Sequence, residues 1–184
     1  MFDTPEASEE FFDRSSGRRR MVEETIQSVA ACFPQLEFQL LDSITGINAH
    51  ASVLRGQRTV GLFGGLAFNR LVGEHGLRFS LLHESGHHLG SGARLALHSP
   101  LACECAADQW AVTTGRRALA KTGCALDPGK ALDEIEAAAS AATPIEKKPN
   151  RRRRRCWAFD WTLRRRALTD SKLERVRRCN IRTD

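Results

Sequence analysis

The run His83-Glu84-Ser85-Gly86-His87 sets two imidazoles four residues apart, with a carboxylate next to the first. On an α-helix, residues four apart lie about 40° apart around the axis and one turn along it, so both rings can reach one ion. His88 cannot stand in for His87, because five residues of helix turn it about 140° away from His83. Zinc takes imidazole nitrogen readily, and a catalytic zinc site uses three protein ligands and keeps one position open for water. Glu84, on the flank of the same face, is placed to bind that water and take its proton.

A second group follows within about 20 residues. In the run Cys103-Glu104-Cys105-Ala106-Ala107-Asp108, the two carboxylates are four apart and share a helix face. Glu104 can serve as the third zinc ligand, and Asp108, one turn on, can accept a hydrogen bond from the far nitrogen of a ligand histidine and so fix its tautomer. Ala106 and Ala107 are small enough for this helix to pack closely on the first. Cys103 and Cys105 point about 100° to either side of Glu104, which reads as packed thiols rather than ligands.

These side chains need elements to hold them. Val22, Ile26, Val29 and Phe33 recur at helical spacing, which predicts a helix over 21–33, ended by Pro34. Apolar and polar residues alternate over 36–40 and 47–53, and the segment 58–63 follows a turn at Arg55-Gly56-Gln57, so three strands are expected, the last two as a hairpin. Residues 66–72 and 77–89 read as two helical pieces separated by Gly73 and Gly76, with further helices over 101–122 and from Pro128 to Pro144. The expected fold is α+β, a small mostly antiparallel sheet packed on the His83–His87 helix and a downstream ligand helix. The expected organisation is a flexible leader over 1–20, a domain over 21–146, and a basic tail over 147–184 that is disordered or weakly helical.

His83-Glu84-Ser85-Gly86-His87 followed by Glu104-Cys105-Ala106-Ala107-Asp108 resembles the gluzincin metallopeptidases, and more narrowly the HtpX and CaaX-prenyl-protease family with its small soluble minigluzincins. Also similar to that family are NAHASVLRG with VGLFGGLAFNRL, the helix LLHESGHHLG, and ECAADQWAV with GCALDP, so that residues 48–128 are covered. The resemblance implies a zincin-like fold, one zinc ion per chain on His83, His87 and Glu104, Glu84 as general base, and Asp108 behind a ligand. The implied activity is a zinc metalloendopeptidase that hydrolyses a polypeptide through Glu84 and a zinc-bound water. A regulatory peptidase of the ImmA/IrrE type shares the first motif and an Ala-Asp helix, and is the second resemblance. Many gluzincins stabilise the oxyanion with Tyr or His, and this chain has no Tyr. Its side-chain candidates are His98, Arg116 and Arg117. The strand over 47–53 is the expected partner for an extended peptide.

Charge separates the chain in two. Residues 1–146 hold 13 Lys and Arg against 18 Asp and Glu, a net −5, whereas 147–184 hold 15 against 4, a net +11. The basic stretch, with Arg151 to Arg155 and the interleaved Trp157, Phe159 and Trp161, suits nonspecific contact with nucleic acid or an anionic surface, and opens the alternative of a catalytically degenerate zincin scaffold whose tail binds nucleic acid. No apolar run approaches the roughly 18 residues of a membrane span, and the acidic first residues do not read as an export signal. The expectation is a cytoplasmic protein whose six cysteines are thiols. His50, His75 and His88 are expected at the surface or as caps.

Overall fold

The computed structural model describes residues 9–92, 94–95, 98–142 and 161–169. Residues 1–8 of the expected leader, the linker over 143–150, the arginine run 151–155, and Cys156, Trp157, Phe159 and Cys179 lie outside the described residues.

Helix α1 (Ser16–Cys32) starts earlier than its apolar periodicity indicates, because Ser15 caps it, its hydroxyl accepting the Arg18 N–H at 3.2 Å. Residues 16–20 are thus helix. Arg18 itself is buried, and its guanidinium donates to the carbonyls of Ala67 (2.8 and 2.5 Å), Asn69 (2.9 Å) and Val72 (2.7 Å).

That capture explains a second difference. The segment 66–72 reads as helical, yet the structure makes only Gly64–Ala67 (α2) a helix. Arg18 takes carbonyls that a continuing helix would bond internally, and the Asn69 side chain accepts the Leu71 N–H at 3.0 Å, turning the chain instead.

Strands β1 (Glu37–Leu41), β2 (Ala49–Leu54) and β3 (Gln57–Phe63) form one sheet in the order β1-β3-β2. β2 and β3 are the expected hairpin, joined through Arg55 and Gly56 at φ 51° and 83°, the two positive values of a type I′ turn. β1 runs parallel to β3. The sheet is therefore mixed, not mostly antiparallel: alternation marks a strand's buried face but carries no information about its neighbour.

Helix α3 (Glu74–Leu89) carries the histidines through the middle of the molecule, packed against α1, β2 and β3 and against two later helices. Leu77, Phe79, Leu81 and Leu82 are buried on it and join Val22 and Val29 of α1 and Val60 and Leu62 of β3 in one core. A short hairpin of β4 (Arg94–Leu95) and β5 (His98–Ala102) follows. The expected helix over 101–122 begins only at Glu104, because 101–102 belong to β5. It runs as α4 (Glu104–Trp110), a π-helical turn (Ala111–Gly115) and α5 (Arg116–Ala120). Helix α6 (Pro128–Ala141) is capped by Asp127, whose carboxylate accepts the N–H groups of Gly129 and Lys130.

Helix α7 (Trp161–Thr169) lies in the basic stretch and packs on α6. Its Arg165 pairs with Asp133 (2.7 Å) and Glu136 (2.9 Å), and Leu168 is buried in the common core. These nine residues of the stretch set apart by charge are helical and pack against α6. Among the described residues, no helix is long and apolar enough to cross a membrane.

Candidate metal centre

His83 and His87 project from one face of α3 with their rings edge to face, centroids 4.7 Å apart and Nε2 atoms 3.2 Å apart. Each ring is held from behind through Nδ1. His83 donates to Asp108 Oδ1 at 2.7 Å, and His87 donates to the Ala102 carbonyl at 2.6 Å. With both Nδ1 protons committed, both Nε2 atoms face inward toward the same space.

Two carboxylates border that space. Glu104, at the first turn of α4, lies 3.2 Å from His83 Nε2 and 3.7 Å from His87 Nε2. Glu84 stands farther off, at 3.9 and 4.0 Å from the same nitrogens. His83, Glu84 and His87 are buried and form a group that could hold a metal ion.

α4 reaches α3 because Gly86 lies against the α4 backbone. A Cβ at Gly86 would meet the Ala107 carbonyl oxygen at 2.6 Å and its Cα at 2.9 Å. Sequence spacing identified Ala106 and Ala107 as the small residues of this contact. The closest approach also needs the glycine between the two histidines.

The electrostatics fit a site built for a cation. Burial alone would lower the His83 pKa, but the Asp108 charge and hydrogen bonds to Asp108 and Glu104 outweigh it and raise the value to about 10. Glu104 is half-buried, and that desolvation works upward, yet its bond to His83 and the neighbouring charges bring it down to about 2. Burial, aided by Glu104, lifts Glu84 to about 7 against the opposing influence of His83, His50 and the Ala51 N–H. Burial and the charge on His83 lower His87. The raised value favours the protonated form of His83, whose Nε2 faces Glu104 and His87 Nε2, each at 3.2 Å.

Asp108 is fully buried and serves two partners at once. Its Oδ1 accepts from both His83 Nδ1 and Arg164 Nη2 (2.6 Å), and its Oδ2 accepts from Arg164 Nε (2.8 Å). Burial would raise the Asp108 pKa, but Arg164 and His83 keep it below its ordinary value.

Sequence reasoning missed Arg164. It lies in the run Arg164-Arg165-Arg166, and its four-residue spacing to the buried Leu168 was the one available signal. The Ala102 carbonyl and the Ala51 N–H were missed as well, since any residue type offers those groups.

The remaining expected residues are distributed as follows. Arg116 and Arg117 are exposed on α5, and Arg117 Nε donates to the Thr113 carbonyl of the preceding π-helical turn at 3.3 Å. His98 is on β5, and its side chain lies outside the description. His75 accepts the Asp127 N–H at 3.2 Å. His88 is buried rather than superficial, turned from the centre as its spacing requires, and its Nε2 donates to the Thr59 carbonyl at 3.0 Å. His50 lies over Gly61 with its ring 5.3 Å from Phe63 and its Nδ1 buried. Cys103 is a free buried thiol, but Cys105 is disulfide-bonded, which corrects the expectation that all six cysteines are thiols.

Comparisons of the chain with protein-family models, with curated proteins and with solved structures find no match.

Proposed function

We propose that the protein is a zinc metalloendopeptidase of the gluzincin kind, with zinc held by His83, His87 and Glu104. One observation carries this reading: both histidine tautomers are fixed from behind, so that two Nε2 atoms 3.2 Å apart and the Glu104 carboxylate converge on one point. Two imidazoles and one carboxylate are a ligand set of catalytic zinc, whereas a purely structural zinc site would use four protein ligands and more thiolate. A bound zinc ion would supply a Lewis acid for the scissile carbonyl and for water.

The chain's own residues supply the rest. Glu84 is not needed as a ligand if Glu104 is one, and it stands beside the two imidazoles with a pKa of about 7. A carboxylate poised there accepts a proton from water and returns it to the leaving amine at neutral pH. The Ala51 N–H of β2, an outer strand of the sheet among the described residues, donates to Glu84. An extended peptide pairing along β2 would bring its carbonyls past Glu84, through main-chain contacts that tolerate many sequences. Helix α7 weakens the rival view of a nucleic-acid-binding tail on a degenerate scaffold, since Arg164 and Arg165 are paired with carboxylates of the domain.

Metal analysis and a cleavage assay on an unfolded protein substrate test the proposal. The expected result is one zinc per chain in the wild type, none in His83→Ala, and metal without cleavage in Glu84→Gln. Full cleavage by Glu84→Gln, or a wild type that binds no zinc, would refute it.

A further inference from the structure

We propose that Arg164 is a positioning residue of the metal centre, and that α7 therefore completes the catalytic domain. The inference rests on the zinc reading given above. Asp108 is the only carboxylate bonded to His83 Nδ1 among the described residues, and its orientation decides where His83 Nε2 points. Nothing on α4 fixes the plane of that carboxylate; Arg164 does, by two parallel hydrogen bonds of 2.8 and 2.6 Å that engage both oxygens. A planar fork sets the carboxylate's rotation, which a point charge cannot do. The guanidinium also lies over the Phe79 ring, 5.6 Å from its centroid, and that ring stands 6.1 Å from the His83 ring. Arg164 thus bears on His83 from two sides, through Asp108 and through Phe79.

The anchoring of α7 is separate from this contact. Arg165 holds the helix to Asp133 and Glu136 of α6, and Leu168 seats it in the core. A basic segment that sequence composition sets apart as a nonspecific tail thereby sends one arginine inward to an acidic group behind the metal ligands, while its neighbour does the docking.

Full-length Arg164→Met, Arg164→Lys and Arg165→Ala proteins separate the two roles. Zinc affinity is read by competition with a chromophoric chelator, the coordination geometry by the visible spectrum of the cobalt-substituted protein, and the fold by the melting temperature of the metal-free form. Weakening of zinc binding by about 10- to 100-fold is expected for Arg164→Met, with an altered cobalt spectrum. Arg164→Lys, which keeps the charge and loses the fork, is expected to recover only part of the affinity and to retain the altered spectrum. Arg165→Ala is expected to lower the melting temperature and leave both metal readouts unchanged. Wild-type affinity and spectrum in Arg164→Lys would overturn the positioning role, as would an equal loss in Arg165→Ala, which would assign the effect to docking. If Arg164→Met does not fold, the lysine variant alone decides. A wild type without zinc would fail the underlying reading, and this inference with it.

Discussion

Gly86→Ala is the substitution that probes the α3–α4 contact at its narrowest point. The added methyl would meet the Ala107 carbonyl oxygen at 2.6 Å, where ordinary contact begins at 3.4 Å, so α4 must withdraw by about 0.8 Å. Both partners are helix backbone, with no side chain free to rotate away. The strain of such overpacking amounts to about 1–3 kcal/mol, partly offset by the roughly 1 kcal/mol that Ala gains over Gly in a helix interior. Stability should therefore fall by no more than about 2 kcal/mol. The proposed zinc site should suffer more, because Glu104 and Asp108 travel with α4 while His83 and His87 stay on α3. Catalytic and ligand groups must be held within about 0.5 Å of their productive positions, and a shift of this size exceeds that tolerance. Zinc affinity is expected to fall by at least about tenfold, the lower end for losses around a metal ligand. Equilibrium urea unfolding of the metal-free protein and chelator competition measure the two effects separately. A Gly86→Ala protein with wild-type zinc affinity would show either that α4 does not carry a ligand or that the helices tolerate the displacement, and would refute the reasoning.

Two further outcomes follow from the same structure. Arg18→Met strips hydrogen-bond donors from the buried carbonyls of Ala67, Asn69 and Val72 and should cost about 3 kcal/mol in urea unfolding; a loss below about 1 kcal/mol would mean that those carbonyls find other partners. The metal-free protein should be most stable near pH 5. His83, raised from 6.5 to about 10, stabilises the fold fully below 6.5 and loses that effect as pH climbs through 10. Glu84, raised from 4.5 to about 7, acts in the same direction, its contribution fading between those values. Glu104, lowered from 4.5 to about 2, stabilises above 4.5 and loses its effect as pH falls through 2. Melting temperatures in chelator across pH 2 to 10 check this, and an alkaline decline that persists undiminished in His83→Gln would contradict the assignment to His83.

What could be read from the sequence is what local periodicity encodes. The facing of His83 and His87, and the sharing of a helix face by Glu104 and Asp108, follow from the 3.6-residue repeat alone, because each pair belongs to one helix. Alternation marked β1 and β2, the turn at Arg55-Gly56-Gln57 marked β3, and Asp127-Pro128 marked the start of α6. The misreadings share a different cause. Residues 66–72 have a helical pattern, but Arg18, some 50 positions earlier in the chain, takes their carbonyls. The parallel β1–β3 pairing is likewise a long-range fact with no local signature, and nothing local marks Cys105 for a disulfide.

Net charge is equally silent about which single residue makes an internal contact, and the reason is physical. A net +11 over 147–184 describes the average behaviour of fifteen Lys and Arg residues toward a distant partner. A salt bridge is decided by one residue. Asp108, wholly buried, is far more demanding than any surface carboxylate, since an unpaired charge there would be expensive to maintain. His83 meets that demand in part while it is an imidazolium. A ligand histidine on zinc would no longer carry that proton, and the burden of balancing Asp108 would pass to Arg164 and the metal together. On this view the acidic body and its basic extension are complementary at one internal point, and the arginine that matters most is the one farthest from behaving like a tail.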